Sequence, residues 1–137
     1  MSRNAELNKI ARQEGIIILD INCPKNKSMS LINDDGNCYI GIDNNMTVRN
    51  EIVHKAHELG HCITGSFYNR HTQLDIKTQH EYRADKWAIK KLIPRDELIE
   101  IFEKGMTNIW QVAEYFEVTE DFAKKACKFY GYYNEAI

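Results

Sequence analysis

Between Thr47 and Gly65 the apolar residues recur at helical spacing. At 100° per residue, Val48, Ile52, Ala56, Leu59 and Ile63 fall within an arc of about 80°. Thr47 offers an N-cap and Gly65 a stop, so one helix with a single buried stripe is expected here. Upstream the pattern changes. A short helix over residues 4–14 precedes "GIIILDI" (15–21), a brief β-branched run introduced by a glycine that reads as a strand. Asn22 to Lys27, with Pro24, breaks it. "MSLINDDGNCYIGID" then places two β-like runs around Asp35-Gly36, a dipeptide suited to a tight hairpin. Downstream, a second long helix is expected from about Thr78 to Ile93, closed by Pro94. Three short amphipathic helices follow, divided by Gly105 and by Glu117-Val118-Thr119. The pattern predicts an α+β fold: a small antiparallel β-sheet packed on a helix pair, with a helical C-terminal portion. Strand order is left open.

At 137 residues, the chain suits one domain, 1–137, in which about 95–137 forms a helical subregion. A net charge of −2 gives no general attraction to nucleic acid or anionic lipid. No stretch approaches the roughly 18 apolar residues of a membrane span, and "MSRNAELNKIARQEG" lacks the apolar core of a signal peptide. A cytoplasmic protein is expected. Cys23, Cys38, Cys62 and Cys127 form no CxxC pair, so the sequence predicts free thiols, some of them buried.

The polar side of the long helix carries the chemistry. In "AHELGH" (56–61), His57 and His61 lie one turn apart, nearly opposite the apolar stripe, where both imidazoles can reach one ion at about 2.0–2.1 Å. Glu58 is angled off that pair, placed to act on a water as general base rather than to coordinate. Such a motif arises by chance roughly 0.015 times in a chain of this composition, so it needs a second element. "EYRAD" supplies one: Glu81 is a candidate third ligand, and Asp85, one turn on, could accept the spare ring N–H of a ligating histidine. Ala84, Ala88 and Leu92 share the Glu81 face, and the two alanines would let the helices approach closely. Three protein ligands leave one position open, which is the mark of a catalytic zinc site. Glu81 also fits another role, because Thr78-Gln79-His80-Glu81 reads as a capping box; His80 would then be the substitute ligand.

A small sheet, then "HKAHELGH", then "HEYRADKWAIKKLIP" resembles the ImmA/IrrE family of zinc metallopeptidases, whose second motif is E-x-x-A-[DN]-x-[FW]-A. The resemblance runs from about residue 5 to the C-terminal helices. It implies a zincin-like domain holding one Zn2+ per chain, with His57, His61 and Glu81 as ligands and Glu58 as general base. Arg83 departs from it, since members often carry an acidic residue there. The resemblance further implies a protein substrate, a cytoplasmic helix-turn-helix repressor of a phage or mobile element.

Four more residues are candidates for contacting substrate or stabilising an oxyanion: His54, Tyr68, His71 and Tyr82. Two rival readings belong to other classes. One is a non-proteolytic anti-repressor that sequesters its partner on the same fold. The other is DNA binding by "VAEYFEVTEDFAKKACKFY", which has helix-turn-helix proportions and three lysines; Glu117, Glu120 and Asp121 argue against it.

Overall fold

The computed structural model describes residues 2–22, 27–67 and 71–132. Helix α1 (Arg3–Gln13) is capped by Ser2, whose hydroxyl accepts from the Ala5 N–H, and it buries Leu7 and Ala11. Three strands follow, β1 (Ile17–Ile21), β2 (Ser28–Ile32) and β3 (Cys38–Asp43). Asn33 shapes the β2–β3 turn by accepting from the N–H groups of Asp35 and Asn37.

The sheet has the order β1-β3-β2, and it is mixed rather than antiparallel. β2 runs antiparallel to β3 across the expected hairpin, whereas β1 pairs with the other side of β3 in parallel, Leu19 opposite Gly41. The reason lies in which strand takes the centre. Two reversals separate β1 from β3, so the two share a direction, and they meet only because β3 settles between its predecessors. β3 is the most buried strand: Ile40 and Ile42 are fully enclosed under the helices. The opposite sheet face leaves Ile17, Leu19, Met29 and Leu31 about half exposed.

Helix α2 (Val48–Thr64) has the predicted limits, with Thr47 capping the Asn50 N–H and Gly65 in the left-handed conformation. Of its predicted stripe, Ile52, Ala56 and Leu59 are buried and Ile63 packs at the core edge. Val48 is 68% exposed, because the first turn overhangs the core.

Helix α3 (Leu74–Leu92) begins four residues before the expected start at Thr78. Thr78 lies inside it and donates to the Leu74 carbonyl, so the capping-box role for Glu81 is excluded and Glu81 sits in mid-helix. Leu74 and Ile76 are exposed, and this first turn therefore lacks the apolar periodicity by which a helix is read. The two alanines act as predicted: Ala84 and Ala88 are fully buried against α2. The closest approach is at Gly60, where a Cβ would lie 2.5 Å from the Ala84 carbonyl oxygen.

Helices α4 (Arg95–Glu103), α5 (Ile109–Phe116) and α6 (Glu120–Phe129) complete the core. Glu117 makes the α5–α6 turn with φ of 59°, and Thr119 caps α6. The Tyr130 hydroxyl donates to the Ile93 carbonyl at 2.8 Å, tying the end of α6 to the end of α3.

Cys38 and Cys62 form a disulfide, against the expectation that both are free thiols. Cys62 lies only about 40° outside the buried stripe of α2, and the helix crosses the sheet above the start of β3. Cα atoms 6.1 Å apart are within bridging range. Partners 24 residues apart carry no local spacing signal. Cys127 is a free buried thiol, as expected, and burial pushes its pKa up. Cys23 is outside the described residues.

Candidate metal centre

The polar side of α2 opens on a cleft of about 610 Å3 between β2, α3 and α6. On its floor, His57 Nε2 lies 2.9 Å from Glu81 Oε2, His61 Nε2 lies 3.1 Å from Glu81 Oε1, and the two Nε2 atoms are 3.2 Å apart. The structure thus brings all three predicted ligands together. Their spacing is near the roughly 3.3 Å that separates ligands of a tetrahedral ion with bonds of about 2.0–2.1 Å.

The outer partners of the histidines decide what those nitrogens offer. His57 Nδ1–H donates to Asp85 Oδ1 at 2.8 Å, and His61 Nδ1–H donates to the Ser66 carbonyl. A carbonyl or a carboxylate can only accept, so each Nδ1 carries a proton, and a ring that holds no second proton turns its Nε2 lone pair inward. Two lone pairs facing each other beside a carboxylate repel unless a cation or proton lies among them. This donor set, two imidazoles and one carboxylate with fixed tautomers, fits zinc.

Electrostatics follow from the same contacts. Burial lowers the pKa of His57, but the hydrogen bond and charge of Asp85, with the charges of Glu58 and Glu81, outweigh it and leave the value raised. For Asp85, burial works upward and is overcome by the His57 hydrogen bond and the nearby charge of Lys125, so its carboxyl stays below the usual range.

Glu58 is buried beside this cluster and points at β2, where the Ser28 hydroxyl donates to its Oε2 at 2.7 Å. The same hydroxyl lies 2.9 Å from His54 Nδ1; with its own proton committed to Glu58, it accepts from that N–H. Burial lowers the pKa of His54, Glu58 offsets this only in part, and His57 adds to the lowering. Burial and His57 thus favour the neutral form of His54, which stands in the cleft wall and is linked to Glu58 through Ser28.

The remaining candidates divide. Tyr82 is 55% exposed and turned to the Phe129 ring, 6.3 Å away, and neither it nor His71 lines the cleft among the described residues. His80 has no place in the ligand cluster, and Tyr68 lies outside the described residues. Sequence reasoning missed Ser28, Ser66, Gly60 and Lys125. Of these only Ser66 had a signal: a left-handed Gly65 folds the chain back, and the Ser66 N–H indeed donates to the His61 carbonyl.

An H-E-x-x-H helix joined by a carboxylate from the next helix, above an open cleft on an α+β domain, is the arrangement of a peptidase-type domain with a candidate metal site. The chain belongs to the peptidase M78 family, the IrrE N-terminal-like domain, whose model matches residues 11–128. This is the ImmA/IrrE family that the two motifs resemble. Among curated proteins no match was found. No helix among the described residues is long and apolar enough to cross a membrane.

Proposed function

We propose that this protein is a zinc-dependent endopeptidase that cleaves a protein substrate. The observation that carries the reading is the convergence of His57 Nε2, His61 Nε2 and Glu81 on one point, with both imidazole tautomers fixed from behind. A zinc ion bound there would supply Lewis acidity, polarising the scissile carbonyl and making a water acidic enough to react near neutral pH. Glu58, adjacent and hydrogen-bonded by Ser28, takes the proton of the attacking water and returns it to the departing amine. His57 is kept in register by Asp85 and His61 by the Ser66 carbonyl, so neither ring must reorganise during reaction.

The cleft also favours a peptide. β2 is an edge strand with β3 on one side, and its residues Ser28 to Ser30 line the cleft beside the ligands. An extended chain can add to that edge through main-chain hydrogen bonds and lie across the metal. The substrate class rests on the family resemblance: a helix-turn-helix repressor of a phage or mobile element. A cytoplasmic location is part of the proposal, and the Cys38–Cys62 bridge bears against it, since the cytosol keeps most thiols reduced. The DNA-binding alternative is weakened, because Glu120 and Asp121 occupy the first turn of α6 and Lys125 is paired with Asp85.

The test is Glu58→Gln beside His57→Ala. Glu58→Gln should retain about one zinc per chain and lose cleavage of a repressor substrate by a factor of at least about 100. His57→Ala should lose both zinc and cleavage. Full cleavage by Glu58→Gln would remove the assignment of the base. Stoichiometric repressor binding without fragments by the wild type would turn the reading into that of an anti-repressor.

A further inference from the structure

From sequence the lysines of α6 belong only to the helix-turn-helix-like pattern, but Lys125 lines the cleft. Its Nζ lies 3.3 Å from Asp85 Oδ2, while the other oxygen of that carboxylate accepts from His57. An unbroken chain of contacts therefore runs from α6 through α3 to a metal ligand on α2.

We infer that Lys125 is a positioning residue of the metal centre: by holding the second oxygen of Asp85 it fixes the His57 ring and strengthens zinc binding. This rests on the metal-centre reading above. The physical argument begins with Asp85. The terminal torsion of an aspartate is broad, so a carboxylate held at one oxygen can still swing. Asp85 has a side chain 26% exposed, and water competes for it. Lys125 removes that freedom by engaging the free oxygen.

The lysine stem is itself anchored. Phe122, Ala123, Ala126 and Cys127 are buried on the same helix, and its last turn is tied to α3 through Phe129 against Tyr82 and through the Tyr130 hydroxyl on Ile93. An opposing effect exists, since an ammonium repels a divalent cation. At 52% exposure its field is screened by water, whereas the contact with Asp85 is direct. The two effects have opposite signs, and that makes the inference testable.

Zinc affinity of the full chain would be measured by competition with a chromophoric chelator. Lys125→Met keeps the stem and removes the charge, and it should weaken zinc binding roughly three- to fivefold, the scale of an exposed ion pair. Lys125→Arg should recover most of the loss. Lys124→Met, on the exposed face of the same helix, should match wild type. Asp85→Asn should lose about ten- to a hundredfold, and adding Lys125→Met to it should cost nothing further, because the lysine acts only through that carboxylate. The His57 Nδ1–H proton resonance, protected in the zinc-free wild type, should exchange faster in Lys125→Met.

Unchanged or tighter zinc binding by Lys125→Met, or independent losses in the double variant, would overturn the inference. So would an affinity loss that Lys125→Arg fails to restore. Wild-type protein that binds no zinc would bring down the metal-centre reading and this inference with it; wild-type protein that binds zinc beside an unaffected Lys125→Met brings down the inference alone.

Discussion

A methyl group at position 60 would lie 2.5 Å from the carbonyl oxygen of Ala84 and 2.9 Å from its Cα. Both obstacles are backbone, so no side-chain rotation relieves them. In an exposed helix, alanine is better than glycine by about 1 kcal/mol. Here the sign should reverse: Gly60→Ala is expected to destabilise by about 2–3 kcal/mol, read as a lower midpoint in denaturant melts. It should also weaken zinc binding, because α3 carries Glu81 and has to move away from His57 and His61. Unchanged stability would show that the helices are not in contact there. At this scale the sequence was informative wherever helical geometry alone places a side chain. His57, Glu58, His61, Glu81 and Asp85 stand at fixed steps on two helices, and their mutual positions needed only the pairing of those helices. Ser28 and Lys125 come from other elements, and nothing in their local sequence tells which side chain they meet.

The elements differ in how openly they announce themselves. α2 was legible to the residue because Thr47 and Gly65 mark both ends and a stripe lies between them. For α3 the sequence pattern sets in only four residues after the true start, since an exposed first turn with no side-chain cap at Gln73 carries no apolar period. The parallel pairing of β1 was invisible because hydrophobic alternation fixes the face a strand buries and not the neighbour it takes. The disulfide belongs with this third kind of feature. By joining β3 to α2 at Cys62, immediately after His61, it fastens the sheet to the helix that carries the candidate metal site. Closing a loop of 24 residues removes chain entropy worth about 3 kcal/mol from the unfolded state. Reduction, or Cys38→Ser with Cys62→Ser, is therefore expected to lower stability by about 2–4 kcal/mol in a denaturant titration. Curves that coincide with and without reductant, with thiol counting to confirm that the bond opened, would show that the bridge bears no load in the fold.

For the molecule as a whole, the His57–Asp85 pair shifts how stability responds to pH, and a metal bound at the proposed centre should invert that response. Without zinc, His57 has a pKa above its ordinary 6.5, mainly because Asp85 outweighs the cost of burial. A raised pKa means that the folded state binds the proton more tightly than the unfolded chain. The stabilisation is complete below about 6.5 and is lost as pH rises through the folded-state value. Asp85 has the opposite sign: its pKa is below 3.8, so its contribution is present above that value and disappears as the acid range is entered. The zinc-free protein should thus be most stable between about pH 4 and 6.5 as far as these two groups decide it, and should weaken toward pH 8. With zinc the proton on His57 is a competitor, since the ligating nitrogen must give it up before it can bind metal. Saturating zinc should consequently stabilise the fold little at pH 5.5 and strongly at pH 7.5, so that the melting temperatures of the two forms diverge as pH rises. Melting series with and without zinc, each repeated with His57→Ala, would measure it. Parallel curves would show that His57 does not bind the metal, and a divergence that survives in His57→Ala would place the titrating group elsewhere.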